Sequence, residues 1–212
     1  MVLGPLVVAR GLAALGPLLM PFTFAQHTRE MVFQPATNIP PSHAMLAACG
    51  EPMSDACQQA SVAAFDRARS AEGLGPMTLP DDFASLGRTA QLFVLTNLER
   101  SARGLPAVQQ ASAALDASAL AGAVTGEDPN GPAGTQWGSV VAMGEGSTFE
   151  AVFDWVYDDG PGSPNLDCPK AGGSGCWGHR EVVLGNWGPT PSFGVAVSGS
   201  SMAEIFVAPP PA

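Results

Sequence analysis

The chain is predicted to be an α+β protein, and three observations point there. Apolar residues recur at helical spacing between residues 55 and 124, and two short β-branched and aromatic stretches, 193–197 and 203–207, close the chain. Across the whole chain, 25 Gly and 20 Pro interrupt the sequence with no period. The missing period excludes collagen-like and coiled-coil architectures. A hydrophobic content of 46% excludes a disordered acidic tail, which would lack the apolar surface to offset chain entropy. A length of 212 residues suits one globular domain with a long, irregular N-terminal region.

The elements follow in order. Residues 26–55 are Pro-rich and aperiodic and read as a loop. A helix over 55–71 carries Val62, Ala64, Phe65 and Ala68 on one face. Residues 72–80 hold two Gly and two Pro and form a connector. Asp81 and Asp82 then sit where acidic side chains favour a helix N-terminus. The helix that follows presents Leu92, Val94, Leu95 and Leu98 and stops at Gly104-Leu105-Pro106. A third helix, about 108–124, is expected to bury Leu115, Leu120 and Val124. Ser147-Thr148-Phe149-Glu150 reads as an N-cap opening a short helix through Trp155 and Tyr157. Residues 158–175 are turn-rich, a further short helix runs from Gly178 to Gly185, and the two terminal strands flank a Ser/Gly turn at 198–201. Pro209-Pro210-Pro211 cannot continue a sheet.

Nine Lys and Arg face nineteen Asp and Glu, a formal charge of −10. The only cations are Lys170 and eight scattered Arg, so no basic groove for nucleic acid or for an anionic membrane surface can form. The first 25 residues carry one charge, Arg10, ahead of an apolar run that ends near Ala25. That pattern suits a secretory signal peptide, with a short membrane anchor as the alternative. The run is broken by Gly16, Pro17 and Pro21 and is shorter than the roughly 20 apolar residues of a spanning helix.

Cys49 and Cys57 lie eight apart, as do Cys168 and Cys176. Of the three pairings, the two local ones close short loops and are expected as disulfides. Free buried thiols are the alternative, and the close Cys spacing of structural zinc is absent. Disulfides and export support each other.

Common catalytic signatures are missing. No Ser has Gly at both −2 and +2, and there is no His-Glu-x-x-His, Walker loop or dinucleotide fingerprint. The acidic stretch from Asp158 and Asp159 to Asp167 lacks the alternating ligands of a calcium loop and reads as a solvated turn. His27 and His43 fall in the lead-in and read as solvated. His179, in Cys176-Trp177-Gly178-His179-Arg180, can coordinate a metal or shuttle a proton. Its other reading is a helix N-terminal histidine that hydrogen-bonds the fold.

Asn97-x-x-Arg100-x-x-x-Gly104-Leu105-Pro106 resembles the first-helix signature of the CAP superfamily (cysteine-rich secretory, antigen 5 and pathogenesis-related proteins), in its bacterial SCP-like branch. Met143-Gly144-Glu145-Gly146 stands where that family has Gly-Glu-Asn, with Gly146 replacing the Asn. Trp155-Val156-Tyr157-Asp158 is similar to its Trp-x-x-acid, and Gly178-His179-Arg180-x-x-Val183-Leu184 to the bacterial form of its Gly-His segment. Phe193-Gly194-Val195-Ala196 is similar to the strand that follows. The order holds over 88–208, and residues 45–87 resemble the upstream region of a secreted bacterial subgroup.

The resemblance implies an α-β-α sandwich, helices packed on a small, mainly antiparallel sheet, with an N-terminal helical and loop extension. The chain then divides into a signal peptide or anchor (1–25), a Pro-rich lead-in with one helix (26–87), a CAP-like domain (88–208) and a tail (209–212). It also implies a cleft of two His and two acids, which maps onto His179, Glu145 and Asp158. The first His has no counterpart in Ala123-Val124-Thr125-Gly126-Glu127-Asp128. One imidazole and two carboxylates could hold a divalent metal (Zn²⁺, Mg²⁺ or Ca²⁺), with less preference for zinc than two imidazoles give.

Asn97, Arg100, Gly104, Trp155 and Trp177 take structural roles in this reading. The implied function is that of a secreted or cell-envelope binding module for a lipid, glycan or protein, the incomplete tetrad arguing against an enzyme. Two alternatives stand beside it: a hydrolase centred on His179 with Glu145 or Asp158, and a disulfide-stapled structural envelope protein.

Overall fold

A computed structural model describes residues 37–108 and 112–210. The expected leader at 1–25 and His27 lie outside them. Among the described residues the protein is α+β, with six α-helices and one three-stranded antiparallel sheet.

The lead-in holds more structure than its composition suggests. A helix α1 (His43–Ala48) stands where a loop was expected, because the Ser42 side chain caps it by accepting from the Met45 amide and Met45 is buried. Helix α2 (Asp55–Ala71) matches the expected bounds and is capped by Ser54. A disulfide between Cys49 and Cys57 joins the end of α1 to the start of α2. Phe65 of α2 packs edge-on against Phe153 and Tyr157, so the lead-in shares one core with the rest of the fold.

Asp81 and Asp82 do not open a helix. They precede a 3₁₀ turn, Phe83–Ser85, that drops the Phe83 ring into the core, and α3 (Arg88–Ala102) starts after Gly87. It ends as expected, with Gly104 in the left-handed conformation.

The third helix is shorter than expected and faces another way. Asn97 grips the backbone of Val108 at both its N–H (2.7 Å) and its carbonyl (3.2 Å), holding that residue outside the helix, and α4 (Ala113–Thr125) begins at the Ser112 cap. Leu115 is buried as expected, but Leu120 and Val124 are exposed, Val124 to 66%, while Ala119 and Ala123 face the sheet and Gly122 is buried against Pro129. The reason is close approach: a Cβ added at Gly194 would sit 2.3 Å from the Leu115 carbonyl carbon. Only small residues fit at that separation.

The strand β1 (Trp137–Ala142) was not anticipated. It pairs with β3 (Ser201–Val207), which also pairs with β2 (Ser192–Ser198), giving the order β1-β3-β2. Alternation sorts the two faces. Ala203, Ile205 and Val207 pack with Leu115, Ala119 and Ala123 of α4. Met202 and Phe206 join the larger core with α5 (Thr148–Tyr157), the apolar residues of α3, and α6 (Gly178–Val183). No helix among the described residues is long and apolar enough to cross a membrane.

Candidate functional site

Helix α6 delivers His179, and its entry is unusual. Trp177 precedes the helix at φ 66°, a left-handed conformation that L side chains rarely adopt. It is held there at both ends: its N–H donates to the Asp159 carbonyl (2.9 Å), and its ring lies where Gly160 lacks a Cβ. The Asp159 side chain then takes three donors. Its Oδ1 accepts from His179 Nδ1 (2.8 Å) and from Asn165 Nδ2 (2.6 Å), and its Oδ2 from the Arg180 amide (3.0 Å). An acceptor-only carboxylate requires the ring proton on Nδ1.

The stretch containing Asp158 and Asp159 is therefore no solvated turn. Asp158 is 6% exposed and Asp159 1%. Capture by α6 removes Asp159 from water, and the Asn38 side chain pins the adjoining Gly160 N–H (2.6 Å) and Pro161 carbonyl (2.6 Å).

These groups border a cavity of about 520 Å³, open on one side. Seven carboxylates line it, together with His179 and no Lys or Arg. Glu145 and Asp158 both line this cavity, but the charges acting on His179 are those of Asp159, Asp128 and Asp167. Burial opposes the imidazolium; the Asp159 hydrogen bond and the three negative charges outweigh it, so His179 holds its proton above the usual histidine range. Glu145 and Asp158 instead act on Asp154, which the sequence did not single out. Burial first, then those neighbouring charges, push Asp154 up to about 8. Burial and the Glu150 charge raise Glu145 to about 7. Burial and the adjoining Asp159 raise Asp158.

Asp128 falls in the segment where the family resemblance called for the first histidine. It belongs to a group with Asp167 and His179 whose ligand atoms all lie within 4.8 Å of one another. Glu145 and Asp158 are not in that group.

The motif residues hold this site from behind. Arg100 is fully buried and donates to the carbonyls of Pro106 (3.0 Å), Val183 (2.6 Å) and Gly185 (3.0 Å), clamping the end of α6 to the end of α3. The Trp155 indole donates to the Val141 carbonyl (3.3 Å). Arg180 pairs with Glu72 (2.8 Å), which also receives Arg103; Arg103 and Arg69 both bind Glu99, as does the Tyr157 hydroxyl (2.6 Å). The second disulfide, Cys168–Cys176, closes the loop between Asp167 and Trp177.

The chain matches no family model, no curated protein and no solved structure. The cavity lining has an oriented imidazole and an excess of carboxylates, and it presents no Ser, Thr or Cys side chain as a nucleophile. At its rim Met143 and Leu166 are exposed, Leu166 to 80%.

Proposed function

We propose that this is a secreted binding domain of the CAP type, whose cleft takes a positively charged ligand, and that a basic segment of a protein is the ligand it suits best. The observation that carries the reading is a cleft with seven carboxylates and no Lys or Arg in its lining. Low-dielectric walls concentrate that field and draw in cations. Met143 and Leu166 supply apolar surface for the aliphatic stems of Lys or Arg side chains, whose charged heads would reach the carboxylates. Anionic lipid headgroups would be repelled. The two disulfides agree with an oxidising compartment.

The order of the CAP-like motifs along 88–208 supports the family reading, and the packing of helices against both faces of the sheet is consistent with it.

The test is calorimetric titration of the full chain with an oligolysine peptide and an oligoglutamate peptide. At pH 9, where Asp154 is ionised, oligolysine should bind, weaken as salt is raised and weaken at least several-fold in Asp154→Asn and Asp158→Asn. Equal binding of both peptides, or no loss in either variant, would overturn the reading.

A hydrolase reading has one observation in its favour, the Asp159–His179 pair, which could orient a base toward water. Steady hydrolysis of peptide or ester substrates that disappears in His179→Ala would replace the binding reading with that one.

A further inference from the structure

Behind the cleft, in the middle of β3, Glu204 is fully buried. Its Oε1 accepts from the Thr96 hydroxyl (2.7 Å), and its Oε2 has no hydrogen-bond partner among the described residues. The strand residues opposite it are Val140 on β1 and Val195 on β2, which bring no charge. Helix α3 covers it and carries Arg100 one turn beyond Thr96 on the same face. The Arg100 guanidinium lies over the Phe206 ring, 5.7 Å from its centroid, and Phe206 shares a face of β3 with Glu204. Arg100 is accordingly the charge that acts on Glu204.

Arg100 is itself incompletely bonded. Its Nε and Nη1 serve the carbonyls of Pro106, Val183 and Gly185, but its buried Nη2 has no partner among the described residues. Two groups of opposite charge thus each keep one unused polar atom in the same interior. A neutral carboxyl oxygen is tolerated there; an ionised one, left unpaired, is costly and draws on the nearest donor. We propose that Glu204 is a proton-operated switch on the Arg100 clamp: neutral, it leaves the guanidinium to the α6 carbonyls; ionised, it takes the guanidinium and frees that end of α6. The proposal does not depend on what the cleft binds, because it rests on the packing behind it.

The switch reaches the cleft through α6. That helix is tied at its start by Asp159, which holds the Arg180 amide, and at its end by Arg100. Releasing one end loosens the element that delivers His179. The sign follows from burial, which keeps the proton on Glu204 up to about 8 against the Thr96 hydrogen bond and the Arg100 charge, both of which favour the ionised form. The clamp is therefore closed at neutral pH and opens as pH rises through about 8. At pH 9 the ionised form outnumbers the neutral one about tenfold.

The experiment is carbon-detected NMR of the full chain from pH 6 to pH 10, following the side-chain carboxyl carbon of Glu204 and the backbone carbonyl carbons of Val183 and Gly185. One transition near pH 8, shared by all three signals, is expected. Glu204→Gln, which mimics the neutral acid, should hold both carbonyl signals at their low-pH positions. Asp154 ionises over the same range, so Asp154→Asn is run alongside and should leave the carbonyl transition in place. Thr96→Val removes a hydrogen bond that favours the ionised form and should move the shared midpoint up by about one pH unit.

Carbonyl signals that stay flat while Glu204 titrates would overturn the proposal. So would a carbonyl transition that survives Glu204→Gln or vanishes in Asp154→Asn. Should Glu204→Gln fail to fold, Thr96→Val decides: carbonyl midpoints that move up with that of Glu204 sustain the switch, and midpoints that stay behind overturn it.

Discussion

Asp159 and His179 form a pair in which an almost fully buried carboxylate steers a ring that is itself 15% exposed. The same carboxylate caps the Arg180 amide, so the orientation of the imidazole and the start of α6 depend on one side chain. Asp159→Asn keeps the shape but cannot accept from both the ring and the amide while receiving Asn165. It should cost about 1–3 kcal/mol of stability and abolish the protected Nδ1–H resonance of His179. Urea unfolding and imidazole-detected NMR check the two effects, and an unchanged resonance would show that the pair does not order the ring.

Asp154 sets a pH dependence with a definite sign. Its folded pKa is raised from 3.8 to about 8, so between those values the folded chain holds a proton that the unfolded chain releases. The associated stability is complete below pH 4 or so and is lost as pH rises through about 8. Asp154→Asn should flatten this slope and raise the melting temperature at pH 9 by about 3 °C or more. Oligolysine binding to the wild type should run the opposite way, strengthening over the same range as the carboxylates ionise. Melting curves and calorimetry at pH 6, 7.5 and 9 measure both.

Replacing Arg100 tests the clamp behind the site. Arg100→Met leaves the carbonyls of Val183 and Gly185 without their donor in a buried setting and should cost on the order of 3 kcal/mol. Arg100→Lys should recover little, because a point-like ammonium cannot span the planar fork of a guanidinium. Chemical denaturation of both variants decides whether the fork or the charge matters.

The two disulfides should separate by function. Cys168→Ser/Cys176→Ser loosens the loop bearing Asp167, which lines the cleft, and is expected to weaken oligolysine binding several-fold at a modest cost in stability. Cys49→Ser/Cys57→Ser opens a bridge sunk in the core, where both sulfurs are buried, and should lower stability by about 2–4 kcal/mol. Its oligolysine affinity should stay near the wild-type value once the protein is folded, since neither cysteine lines the cleft. Parallel melting and titration of the two variants gives the comparison.

Much of the fold was legible because local chemistry announced it. Ser147 and Glu150 form a reciprocal capping box at α5, Gly104 ends α3 in a left-handed turn, and both terminal strands are short apolar runs flanking a Ser/Gly hairpin turn. The disulfides were legible from loop spacing alone.

What escaped depended on tertiary distance. Hydrophobicity pointed to Leu120 and Val124 as the inner face of α4, whereas close packing against Gly194 favours alanine and glycine there. In the site, the choice between Asp158 and Asp159 turns on the direction of one peptide unit, fixed by Trp177 and Asn38 from distant parts of the chain. Asp128 and Asp167 carry no periodic signal, since two unrelated loops bring them together.

The missing side chain at Gly194 has an effect far from where it occurs. It acts as a fulcrum under the Leu115 end of α4, while the opposite end of that rod, about 15 Å away, leads into the loop that carries Asp128. Even a methyl group inserted at the fulcrum must tip the rod, and the tilt is magnified along its length, so the spacing between Asp128 and His179 is adjusted from a strand that touches neither.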